Sequence, residues 1–260
     1  MARPGTLPSA LDAVDRLARS PEGIALFLDY DGTLTPIVSR PEDAVLAPEM
    51  RERVRAVARR MPVVIVSGRG RRNVAELVGI DGLGYVGSHG FDIVGPEGSG
   101  VTREIAADVL PLLDDAEAEL RRALGDIPGA LVERKRFGIA VHFRLVADGA
   151  FDRVESAVQG ALARRPRLRR AEGKKVVELR PDVDWDKGCA VLWLLDELGL
   201  AEAHPIHIGD DLTDETVFTA IAERGTGIFV GNDDRPTAAT LRLDDPRQVG
   251  EFLDRLAASS

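Results

Sequence analysis

Three short apolar runs in this chain stop abruptly at clusters of polar residues, and that repetition restricts the fold more than any other feature. Ile24-Ala-Leu-Phe-Leu28 runs into Asp29-Tyr-Asp-Gly-Thr33, Pro62-Val-Val-Ile-Val66 into Ser67-Gly-Arg69, and Pro205-Ile-His-Ile208 into Gly209-Asp-Asp211. An unbroken apolar run of this length marks a strand covered on both faces, as in a parallel sheet. A shorter run, Tyr85-Val86, breaks into Gly87-Ser-His-Gly90. Pro48 to Arg60 places Met50, Val54 and Val57 at helical spacing, and Lys187 to Leu200 puts Ala190, Val191, Leu194, Leu195 and Leu198 on one face. Strand and helix therefore alternate on both flanks, which predicts an α/β fold with a doubly wound, Rossmann-like parallel sheet. In such sheets ligands bind beyond the carboxyl ends of the strands, where these polar clusters would meet.

The middle of the chain follows another rule. Ile105 to Leu124 has a helical pattern, whereas Gly138 to Leu145 alternates, with Ile139, Val141, Phe143 and Leu145 on one face and Ala140, His142 and Arg144 on the other. A helix at about 150–163 and a strand at 175–179 complete an α+β domain over residues 99–178, inserted into a discontinuous core of 1–98 and 179–260. The glycine-rich Gly95 to Gly100 is expected as the inbound hinge.

A chain of 260 residues with 44% apolar composition can bury a substantial core. No stretch approaches the roughly 20 apolar residues of a membrane span, and Met1 to Ser9 lacks the apolar centre of a signal peptide, so a cytoplasmic protein with no membrane partner is expected. The single cysteine, Cys189, excludes an internal disulfide and reads as a small apolar residue. The net charge of -9 repels nucleic acid, so the Arg-rich stretches 51–60 and 164–170 read as solvated helix and loop faces rather than as a nucleic-acid site. The same field gives an anionic ligand no help from a distance. A phosphate would have to be captured locally.

Asp29-x-Asp31-Gly-Thr33 can supply such chemistry. One carboxylate can attack phosphorus to form an aspartyl phosphate, and another two residues on can act as general acid and then base. Mg²⁺, which favours carboxylate and water oxygens, would neutralise the phosphoryl oxygens. Asp210 is placed as a direct ligand, with Asp211 and Asp214 holding waters or bracing the metal shell. Ser67-Gly-Arg69 suits phosphate oxygens, and Lys187 could bring an ammonium against both phosphoryl group and Asp29. Taken singly, the same residues also suit turns and helix caps.

The ordered set Asp29-x-Asp31-Gly-Thr, Ser67-Gly-Arg, Lys187 and Gly209-Asp-Asp-x-x-Asp resembles the four motifs of the haloacid dehalogenase superfamily. That resemblance implies Asp29 as nucleophile and metal ligand, and Asp31 as acid/base and a ligand through its backbone. It further implies Ser67 and Lys187 as phosphate binders, Asp210 as a metal ligand and the insert as a cap. Gly87-Ser-His-Gly-Phe-Asp-Ile93, Glu133-x-Lys135, Val141-His-Phe-Arg144, Gly173-Lys-x-Val-x-Glu178-x-Arg-Pro181 and Trp185-Asp-Lys-Gly188 are together similar to the trehalose-6-phosphate phosphatases, over residues 24 to 230. The implied substrate is trehalose 6-phosphate, contacted by Arg69, Glu133, Lys135, His142, Arg144, Lys174 and Glu178. His89 either touches it or shapes its loop. A monomer is expected. Phosphatases for sucrose phosphate or a phosphorylated glycosylglycerate, a sugar phosphomutase and a non-catalytic sensor are the competing readings. His204 and His207, three residues apart, could imitate a zinc pair, but His207 lies inside a strand run.

Overall fold

A computed structural model describes residues 3–38, 40–173, 175–233 and 235–259. In chain order the elements are α1 (Ala10–Leu17), β1 (Ile24–Asp29), α2 (Pro48–Ala58), β2 (Val63–Val66), α3 (Arg71–Val78), β3 (Gly84–Gly87), β4 (Asp92–Val94) and β5 (Thr102–Glu104). They continue with α4 (Leu110–Leu124), β6 (Leu131–Lys135), β7 (Gly138–His142), α5 (Phe151–Ala163), β8 (Leu168–Gly173) and β9 (Val176–Pro181). The chain finishes with α6 (Lys187–Glu197), β10 (His204–Gly209), α7 (Glu215–Ile221), β11 (Thr226–Val230), β12 (Leu241–Leu243) and α8 (Pro246–Ser259). Two compact units result, Met1–Arg103 with Trp185–Ser260, and Glu104–Asp184. The division thus falls a few residues after the expected 99–178. Gly95 to Gly100, expected as a hinge, lies inside the first unit and connects β4 to the neighbouring β5, with Gly95 N–H donating to Val101 O at 2.9 Å.

The first unit holds an eight-stranded sheet in the order β12, β11, β10, β1, β2, β3, β4, β5. Neighbours from β12 to β3 run parallel, and β4 pairs antiparallel with β3. Because successive side chains of a strand point to opposite faces, β1 sends Leu26 and Leu28 to a core shared with α1, α2, α3 and α8, and Ala25 and Phe27 to one shared with α6 and α7. Helices therefore cover both faces, as the unbroken apolar runs require. Helix starts and stops follow local chemistry: Pro48 opens α2, the Asp186 carboxylate accepts the Cys189 N–H at the start of α6, and Gly79 ends α3 at φ +59°. The chain leaves this unit at Arg103 and returns at Trp185, and the Arg103 guanidinium lies 5.1 Å from the Trp185 ring centre and 4.9 Å from that of Trp193. Trp185 Nε1–H also donates to Gly90 O at 2.8 Å.

The second unit is an antiparallel sheet in the order β6, β7, β9, β8, with α4 and α5 packed on one face. Val132, Ile139, Val141, Leu168, Val177 and Leu179 form that face with Leu113, Leu120, Val154 and Val158. Two sequence readings are corrected here. The strand expected to reach Leu145 ends at His142, so Arg144 sits in the turn beyond it and Leu145 is exposed. The Arg-rich 164–170 segment contains the start of β8, and its guanidinium groups pair within the chain: Arg164 and Arg165 with Glu119, Arg167 with Asp108, Arg170 with Glu155 and Glu172.

Candidate functional site

The switch in strand order lies at β1, whose neighbours β10 and β2 lead away in opposite directions. At that point the carboxyl ends of three strands deliver Asp29, Ser67 and Asp210, as a doubly wound sheet should. Lys187, the first residue of α6, is buried, and its Nζ donates to Asp29 Oδ1 at 2.7 Å and to Asp214 Oδ1 at 2.8 Å. A buried ammonium needs such partners to stay charged, and the two carboxylates raise its pKa against the effect of burial. Asp214, in turn, is held well below the usual carboxylate range, because Lys187 and His207 outweigh its burial.

Asp29, Asp210 and Asp214 bring carboxylate oxygens within 4.8 Å of one another. Their chemistry fits a hard divalent cation. Burial, with the charges of Asp214 and Asp211, pushes Asp210 up to about 7, and burial, with Asp214 and Asp210, raises Asp29 despite Lys187. Asp210 Oδ1 is buried without a partner, an oxygen that a cation would satisfy. Gly32 leaves room for that carboxylate, since a Cβ there would stand 2.1 Å from Asp210 Oδ2. Asp214 has no such need. Its Oδ1 accepts from Lys187 and His207, and its Oδ2 accepts the Asp211 N–H at 3.0 Å, so both oxygens already have partners within the protein.

Asp31 and Arg69 form a two-pronged pair, with Nε to Oδ2 at 2.7 Å and Nη2 to Oδ1 at 2.6 Å. The expected sugar-phosphate ligand Arg69 is thus on the expected acid/base residue. Ser67 is buried, its Oγ accepts the Arg69 N–H at 3.1 Å, and its carbonyl accepts the His89 N–H at 3.1 Å. His89 adopts φ +58°, and its ring lies over Gly68, where a Cβ would stand 2.5 Å from His89 Cε1. The histidine therefore packs directly on the Ser67-Gly68-Arg69 loop.

On the open face of the second unit's sheet, Glu133, Lys135, His142 and Glu178 come together. Cross-strand register places Glu133 and Glu178 on either side of Ala140. Lys135 Nζ donates to Glu178 Oε1 at 2.6 Å, His142 Nε2 lies 2.8 Å from Glu133 Oε2, and Arg180 pairs with Glu178 Oε2. Burial acts to raise the Glu178 carboxyl, but Lys135 and Arg180 together bring it down to about 2. Arg144 lies in the turn after β7 rather than in the strand, and Lys174 lies outside the described residues.

The reading of the motifs left out two residues near Asp210. Arg235, in the tail for which no pattern was found, donates to the Asp210 carbonyl and stacks 5.0 Å from the Phe229 ring centre. His207 reaches Asp214, while His204 bonds Thr226 Oγ1 at 2.8 Å, so the two histidines do not converge on one ion. A polar residue inside an apolar strand was the available signal for His207. None marked Arg235.

A family model described as trehalose-phosphatase matches residues 27–247. A Mycobacterium tuberculosis trehalose-phosphate phosphatase is 45% identical over 98% of this chain and 67% of its own length. The structure of Aspergillus fumigatus trehalose-6-phosphate phosphatase superposes with a TM-score of 0.70 at 26% identity, covering 98% of this chain and 100% of that one. The C-terminal domain of the Candida albicans trehalose-6-phosphate phosphatase shares the fold with a TM-score of 0.78 at 23% identity, over 97% of this chain and 98% of that one. With the acidic trio, the buried lysine and the match over most of its length, the chain belongs to the trehalose-phosphatase family.

Proposed function

We propose that the protein is a phosphoric monoester hydrolase that releases phosphate from trehalose 6-phosphate through an aspartyl phosphate on Asp29, with Mg²⁺ as its cation. The observation that carries this reading is the buried Lys187 bridging Asp29 and Asp214 beside an Asp210 oxygen that has no partner.

Asp29 attacks phosphorus. As the Asp29 oxygen–phosphorus bond forms, the bond from phosphorus to the sugar's O6 breaks, and Asp31 gives a proton to that oxygen. Water then attacks the phosphoryl group, Asp31 takes its proton, and phosphate leaves with the Asp29 carboxylate restored. Asp31 can act so only after leaving Arg69, whose fork occupies both of its carboxylate oxygens. The freed guanidinium, the Ser67 hydroxyl and Lys187 then hold phosphoryl oxygens. Asp29, Asp210 and the Asp31 carbonyl would hold Mg²⁺, which when bound neutralises charge on the phosphoryl group. Glu133, Lys135, His142 and Glu178 select the disaccharide, since a charged face of this kind bonds sugar hydroxyls in pairs.

Phosphate release from a panel of sugar phosphates, with and without Mg²⁺, tests the proposal. Turnover greatest on trehalose 6-phosphate and lost on chelation is expected. A stronger preference for sucrose phosphate or a glycosylglycerate phosphate would reassign the substrate, and binding of trehalose 6-phosphate without release of phosphate would defeat the enzymatic reading.

A further inference from the structure

Asp214 has a partner that the proposed chemistry does not use. His207 lies in β10, fully buried, with its ring 5.4 Å from that of Phe218 on α7. Its Nε2 is 3.0 Å from Asp214 Oδ1, the same oxygen that accepts from Lys187. Nδ1 is buried and has no partner among the described residues. Nε2 faces a carboxylate oxygen and is therefore the donor, whereas a proton on Nδ1 would be an unpaired donor in a closed interior. Space for the bond comes from Gly209, where a Cβ would stand 2.4 Å from Asp214 Cγ. The Asp214 carboxylate is consequently fixed by donors from β10, from the start of α6 and from the loop after β10.

We propose that His207 is a positioning residue for the phosphotransfer reaction, its Nε2–H orienting Asp214 so that the shared oxygen holds the Lys187 ammonium against Asp29. The inference rests on the proposed phosphatase activity. Volume alone does not account for the histidine. An aliphatic residue would fill the space between β10 and α7, but it would leave Asp214 held by the Lys187 and Asp211 donors alone, with one fewer constraint on the oxygen that carries Lys187.

Two arms test this. The chain has four histidines, so ¹⁵N spectra of the substrate-free protein can resolve the His207 ring. A ring protonated at Nε2 alone is expected, and one protonated at Nδ1 overturns the proposal. In the Mg²⁺-loaded enzyme, His207→Leu should lower kcat about tenfold or more, the scale of one hydrogen bond to a charged group, with KM within about twofold. His207→Gln, which keeps an N–H donor, should restore most of kcat. Equal loss in both folded variants, or a change in KM alone, would show a packing role and sink the proposal. Should His207→Leu not fold, the ring spectrum and the kcat of His207→Gln still decide. A wild-type protein that releases no phosphate would defeat the activity, yet leave the ring spectrum, read without substrate, to judge the tautomer.

Discussion

Gly32 adopts φ +83°, and the missing Cβ would collide with the Asp210 carboxylate. Both facts demand glycine, one from backbone sterics and one from the space beside a candidate ligand. Gly32→Ala should therefore weaken Mg²⁺ binding by about tenfold or more, read by calorimetric titration, beyond the roughly 1 kcal/mol that a strained backbone costs. Asp29→Asn should reduce phosphate release by on the order of 10⁴-fold or more, because it removes the nucleophile itself and nothing nearby replaces it. Retained activity would end the nucleophile assignment. At this scale the sequence was informative where chemistry and backbone geometry coincide, as in Asp29-x-Asp31-Gly. It was silent for Arg235, since a stacked arginine bonded to a carbonyl has no local pattern.

Among the elements, β9 carries the most specific expectation. Its alternation buries Val177 and Leu179 under the helices and leaves Glu178 and Arg180 on the open face. Glu178→Ala should raise KM for trehalose 6-phosphate far more than for a small generic phosphate ester, and equal effects would defeat a sugar-binding role. The same residue links pH to stability. Its carboxyl lies at about 2 rather than 4.5, so it stabilises the folded state above about pH 4.5, and that contribution disappears as pH falls toward 2. It amounts to on the order of 3 kcal/mol at about 1.4 kcal/mol per unit. Denaturant titrations should show this acid dependence in the wild type and a flatter one in Glu178→Gln. The buried strands β1, β2 and β10 were readable because burial on both faces demands apolar runs, whereas β11, just as buried, drew no expectation. The edge strands β6 and β8 were not readable, because edges carry charge, and there Lys135, Arg170 and Glu172 are used in ion pairs.

For the whole molecule, the doubly wound sheet and its interruption by an antiparallel unit followed from the change of period along the chain. The first boundary fell later because β5, three exposed residues without apolar alternation, still belongs to the first sheet, and the second because β9 runs on to Pro181. No helix among the described residues is long and apolar enough to cross a membrane. The net charge of -9 makes a kinetic prediction: between about 0.01 and 0.15 M salt, kcat/KM for an anionic sugar phosphate should stay level or rise by about twofold, as screening shortens the reach of the repulsive field. A steep fall would reveal long-range attraction by a local basic patch. Finally, the protein's two tryptophans both flank Arg103, the residue at which the chain leaves the first unit, and one of them, Trp185, is the residue at which it re-enters. Every photon of indole emission thus originates at that crossing, and a stacked guanidinium is a neighbour to which an excited indole responds. The native protein carries its own optical probe of the junction, and adding Mg²⁺ or a sugar phosphate to it requires no dye to see whether that junction moves.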